Sequence, residues 1–167
     1  MAETPADAAA AAEATIDDEG AEAPQIGIES QYIKDLSFEN PMGPTSATAV
    51  QKNPQVSVEV STSARMISDG RYEVCLIIHG KAELTEGPAF IVELTYGAVI
   101  ALSNVPDDAV QPILLIEGPR LLFPFARNIV ADVTRDGGFP PLFLQPIDFM
   151  QLYQNQRAPA AENGADA

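Results

Sequence analysis

His79 is the one histidine in the chain and Cys75 the one cysteine. They lie in RYEVCLIIHGKAEL (71–84), which alternates as a β-strand does and so puts both on one face. Four residues of extended chain separate them by about 13 Å, too far for a thiolate–imidazole pair. A hydrolytic triad needs a nucleophile, a base and an orienter. The single candidate base sits beside Lys81 and reads as a surface or interface histidine. One Cys and one His would need carboxylates at ligand spacing to hold zinc, and none are so placed. DGGF (136–139) follows a helical pattern where a phosphate loop would open one. The carboxylates remain. QYIKDLSFEN (31–40) alternates Tyr32, Lys34, Leu36 and Phe38 against Ile33, Asp35, Ser37 and Glu39. Paired acids can serve acid–base chemistry, but an exposed strand face does not desolvate one relative to the other. The pattern suits an ordinary solvated sheet face, or docking of a basic partner, better than catalysis.

Four strand signals must position these residues. The first, 26–40, is long enough to need a twist or bulge in its middle. It ends at Pro41-Met42-Gly43-Pro44, which cannot continue a ladder. QVSVEVST (55–62) alternates Val56, Val58 and Val60 against Ser57, Glu59 and Ser61. Asp69-Gly70 marks a turn into 71–84, whose apolar side is Tyr72, Val74, Leu76, Ile78, Ala82 and Leu84. After a turn at Glu86-Gly87-Pro88, AFIVELTYGAVIAL (89–102) sets Phe90, Val92, Leu94 and Tyr96 against Ile91, Glu93 and Thr95. Short turns imply antiparallel pairing. Paired in order, the strands collect Asp35, Glu39, Glu59, Glu73 and Glu93 on one face, with Ile33, Ile77 and Ile91 among them. The period then changes. Residues 106–118 open with Pro and two acids, a helix start, and Gly118-Pro119 interrupts it. Residues 120–138 repeat apolar residues at helical spacing up to a left-handed stop at the Asp136-Gly137-Gly138 run. FPPLFLQP (139–146) is a proline-rich extended connector, and 147–156 a short helix capped by Asp148. Strands followed by helices give an α+β fold with a four-stranded antiparallel sheet and two or three helices.

The chain has 167 residues and a net charge of −15. That charge repels nucleic acid and anionic membrane and attracts basic partners. Residues 1–24 are acidic and Ala-rich without Lys or Arg, and 158–167 is similar, so both read as disordered tails around a 25–157 domain. The alanines at 8–12 favour helix but lack an apolar face to dock. The start does not read as a secretory signal, and no apolar run reaches bilayer-spanning length. A lone cysteine suits a reducing cytoplasm. Runs such as LLFPF (121–125), FPPLFL (139–144) and FMQLY (149–153) carry more large side chains, including Phe143, Met150, Leu152 and Tyr153, than one small core absorbs. The surplus implies a homo-oligomer interface, an exposed groove for extended peptides, or both.

YIKDLSFENP, YEVCLIIHGKAEL, AFIVELTYGAVIAL and LLFPFARNIVADVTRDGGFPPLFLQPIDFMQLYQNQ resemble the SecB family of protein-export chaperones over residues 26–156. The resemblance implies a cytoplasmic holdase without catalysis, nucleotide or cofactor. It implies a homotetramer, a dimer of dimers. Such a protein keeps unfolded precursors translocation-competent and delivers them to the SecA motor. Position by position, the SecA contacts would be Asp35, Glu39, Ile91 and Glu93, facing the basic, zinc-bearing C-terminal tail of SecA. The client groove would be Val56, Val58 and Val60 with Val92, Leu94 and Tyr96, although alternation alone makes the last three core. The competing expectation is an acidic adaptor for a basic folded partner, without holdase activity; a carboxylate-dependent enzyme is the third.

Overall fold

The structure is a computed structural model, and it describes residues 22–158. The acidic start through residue 21, with the 8–12 alanines, and the end from residue 159 lie outside the described residues. Four strands come first: β1 (Gln25–Glu39), β2 (Gln55–Ser68), β3 (Arg71–Leu84) and β4 (Gly87–Ser103). A short helix, α1 (Ser46–Gln51), lies in the β1–β2 connection, where the sequence reads only as loop. All pairings are antiparallel, in the order β1-β4-β3-β2. The first strand therefore crosses to the far side of β4 instead of pairing in sequence order. Tight turns make β2–β3 and β3–β4 hairpins, the former at Asp69-Gly70 with Gly70 at φ +68°; the long 40–54 segment is free of that constraint.

The register shifts near strand ends, at Ile67 of β2 and Ala89 of β4; elsewhere alternation holds along β2, β3 and β4, whose apolar positions share one face. Val74, Leu76, Ile78, Val92, Leu94 and Ile100 are buried there beneath the helices. In β1 the register slips at Glu29 and again at Lys34. Each bulge inserts one residue and reverses the parity of the residues after it, so two bulges invert only the stretch between them. Ser30–Ile33 is that stretch. Ile33 pairs with Tyr96 on the helix side, and Tyr32 pairs with Gly97 on the opposite side. Simple alternation places both on the wrong faces. Asp35, Ser37 and Glu39 lie beyond the second bulge and keep their expected side.

The helical layer is α2 (Asp107–Pro112), a π-helical turn (Ile113–Glu117), α3 (Gly118–Asp136) and α4 (Phe149–Arg157). Gly118-Pro119 does not stop the helix. A Cβ on Gly118 would stand 3.1 Å from Ile100 and 3.2 Å from Val74, so the glycine lets the helix approach the sheet. Pro119 sits in the first turn of α3, where a missing N–H costs least, and the π turn absorbs the mismatch. At the far end Gly137 passes so close to the Phe38 ring that no side chain fits, and the left-handed residue is Gly138 at φ +93°. Asp148 caps α4, accepting from Gln151 N–H at 3.0 Å. Among the described residues, no helix is long and apolar enough to cross a membrane.

Candidate functional site

Two surfaces stand on opposite faces of the sheet. On the helix side, the connector between α3 and α4 runs over β2 and leaves a channel. Its proline-rich sequence cannot pair with a strand, so it stands off the sheet instead of extending it. Three contacts fix its height. Thr134, fully buried, accepts from Leu142 N–H at 2.9 Å and donates its hydroxyl to a carbonyl of its own helix. Phe139 packs edge-on and tilted into an aromatic cluster with Phe38 and Phe90, its ring centroid 4.9 Å from that of Phe90. Leu142 drops onto Gly80, where a Cβ would stand 3.4 Å from its methyl.

The channel has two joined sections that share Val56 and Leu142. One, of about 430 Å³, lies between Val56, Val58 and Val60 on β2 and Phe143, Leu144 and Ile147 on the connector. The other, of about 290 Å³, continues past Val50, Pro54 and Phe90 to Phe139. Its walls are apolar yet open: Val56 is 51% exposed, Val58 39% and Phe143 60%. The structure thus brings together half of the expected groove. Val92, Leu94 and Tyr96 do not line it. They are 0%, 1% and 8% exposed in the core, where helices cover β4, and Tyr96 stacks on Phe125. The second wall comes from the connector instead. The prolines and the surplus of large side chains in FPPLFL signal that wall, but not what it faces.

On the other side, Asp35 and Glu39 of β1 and Glu93 of β4 are exposed, with Ile91 half-buried between them. Register makes them neighbours: Glu39 is opposite Ile91, Ser37 opposite Glu93, Asp35 opposite Thr95. Glu93 accepts from Ser37 Oγ at 3.4 Å and faces His79 Nε2 at 3.2 Å. A shallow depression floored by Ile77 and Thr95 lies between Asp35 and His79. All four expected partner-contact positions therefore share one patch.

Glu73 does not belong to that exposed field. It is 6% exposed. Tyr32 Oη donates to it at 2.5 Å, Lys34 Nζ at 3.0 Å and Arg65 Nε at 2.6 Å. Tyr32 starts on β1 and crosses β4 at Gly97, where even a Cβ would meet its ring at 2.7 Å. These three donors hold the Glu73 carboxyl down at about 2, well below its ordinary 4.5; burial and the bond to Glu73 push the Tyr32 phenol up to about 12. Burial also pushes the Cys75 thiol up, which leaves it a poor nucleophile. Because the Glu73 carboxyl is lower when folded than unfolded, its contribution to stability is complete above about pH 4.5. It is lost as pH falls through about 2. Urea unfolding across that window should show stability falling with acid, and Glu73→Gln should flatten the slope. An unchanged slope would mean the carboxylate is not held as the structure has it.

Among the described residues, no three His, Cys, Asp or Glu side chains cluster as metal ligands would. A family model described as preprotein translocase subunit SecB matches residues 19–160. A protein-export protein SecB from Bradyrhizobium sp. (strain BTAi1) is 51% identical over 148 residues, 88% of this chain and 91% of that one. The same-named protein of Azorhizobium caulinodans is 49% identical over 141 residues, 84% and 88% of the two chains. Among solved structures, a SecB-like chaperone of Mycobacterium tuberculosis, in complex with a ChAD peptide from the HigA1 antitoxin, matches with a TM-score of 0.59. The match covers 73% of this chain and 90% of that one at 13% identity, a likeness of fold.

Proposed function

This chain belongs to the SecB family, and on that basis we propose that it works as a chaperone of protein export through two opposed surfaces. The channel between β2 and the connector takes unfolded precursor. The acidic patch of Asp35, Glu39, Ile91 and Glu93 docks the basic, zinc-bearing tail of SecA. The observation that carries the reading is the separation itself: one sheet keeps an open apolar channel on one side and an anionic patch on the other.

Burial drives client binding. Each Å² of client apolar surface entering the channel contributes about 25 cal/mol. Val56, Val58 and Val60 offer that surface without unfolding anything, since they are already open. Binding unfolded chain over native chain holds the client open by mass action, so neither nucleotide nor cofactor is needed. At the patch, attraction speeds encounter and fixes orientation more than it adds affinity, which suits a handover in the cytoplasm.

A homotetramer, a dimer of dimers, fits the apolar surface left over. Ile26 and Ile33 on β1, Met66 on β2, and Leu121 and Phe125 on α3 are exposed outside the channel, more than an isolated subunit leaves to water without cause. Several channels in one particle would hold a long client by avidity.

The test is aggregation of a chemically unfolded client in the absence of nucleotide. Stoichiometric chaperone should suppress it, and the same client in native form should not be captured. Capture of SecA without any delay in client aggregation would support the adaptor reading and overturn this one.

A further inference from the structure

Lys34 and Arg65 are cations on the acidic side of the sheet, and Lys34 adjoins Asp35 in the chain. The bulge that turns Asp35 onto that side turns Lys34 there as well. Left free, Lys34 would reach for the Asp35 carboxylate beside it and occupy a site that a basic partner needs; Arg65, three strands from Asp35 in the row of Glu73, lies out of reach of the patch. Neither is free. Both bind one oxygen of Glu73, at 3.0 and 2.6 Å, and Tyr32 occupies the other. Glu73 itself is buried beneath them, opposite Arg65 in the β2–β3 register.

We propose that Glu73 is a positioning residue for partner docking: an internal counter-ion, itself held by Tyr32 and Arg65, that withholds Lys34 from Asp35 and so keeps that carboxylate open to a basic partner. The inference rests on the docking reading above and adds a residue to it that touches neither SecA nor client.

The arrangement has a physical logic. A carboxylate with three good donors is satisfied where it lies, whereas removing it leaves Lys34 beside Asp35 with no partner in place. Glu73→Gln keeps shape and volume, removes the anion and releases Lys34 next to Asp35. SecA binding should then weaken about threefold to fivefold, since one exposed ion pair formed in competition is worth up to about 1 kcal/mol. Glu117→Gln makes the same change in net charge on the helix side, where Glu117 pairs with Arg120, and should leave SecA binding within about twofold. The triple variant Glu73→Gln with Lys34→Gln and Arg65→Gln removes the released lysine, together with the other cation of the cluster, and should restore binding to the native level or above. A merely structural role for Glu73 would not be rescued by deleting two more members of its cluster.

The measurement is SecA affinity by titration calorimetry on the full chain, with circular dichroism confirming the fold of each variant. If Glu73→Gln does not fold, the triple variant alone decides, since the proposal requires it to bind at least as tightly as the native protein. Equal losses in Glu73→Gln and Glu117→Gln, or a folded triple variant that stays weak, would overturn it. If direct reversal of Glu93 also leaves SecA affinity unchanged, the docking reading itself has failed, and that outcome is distinct from failure of the counter-ion.

Discussion

Glu93→Lys is expected to cut SecA affinity about fivefold to thirtyfold while client binding stays within about twofold of the native protein. The side chain is 54% exposed, so reversal of its charge buries nothing and leaves the core intact. Its present neighbours set the size of the effect. Ser37 donates to it and His79 faces it, while Asp35 lies across the same depression. A lysine there would pair with Asp35, cancelling a second carboxylate as well as replacing the first. Two changes of exposed charge amount to about 1–2 kcal/mol, hence the range given. Added salt should shrink the difference between native and variant, because these charges meet in water. Surface-immobilised SecA gives the affinity, and aggregation of an unfolded client gives the second reading. Equal loss in both assays would mean that the two faces do not act separately.

The complementary change is Val58→Asp, for which the loss falls on the client. Val58 lies on the channel wall between Val56 and Val60 and is exposed, so a polar replacement there takes little from the core. A client that covers this position must strip water from the new carboxylate and forgo the apolar contact. Together these cost about 2–3 kcal/mol, or roughly 30- to 150-fold in client affinity. Aggregation suppression at stoichiometric amounts should largely disappear, with SecA affinity retained. Normal suppression by Val58→Asp would move the client elsewhere, the exposed β1 edge being the next apolar surface. The two variants form a crossed pair: each should spare what the other removes.

Alternation makes much of the site legible. In β2, β3 and β4 the two-residue period of an extended chain fixes which side each residue faces, so the three valines and the opposed Ile91 and Glu93 can be sorted by counting. The same count fails over Ser30–Ile33: the length of 26–40 signals a bulge, but not how many or at which residues, because a bulge is a feature of pairing. That failure hides the Tyr32–Glu73 contact. Glu73 counts among the exposed acids on correct parity, yet parity says nothing about depth.

Local spacing and residue chemistry are enough to give the strand and helix segments, the side of the sheet for most residues, the strong negative charge and the family resemblance. Three features needed the folded chain: β1 crosses to lie against β4, the connector and not β4 supplies the second wall of the channel, and one buried carboxylate binds Lys34 beside the acidic patch. Those are meetings between residues distant in the chain, set by which surfaces find cover when the core closes, and no local pattern encodes them.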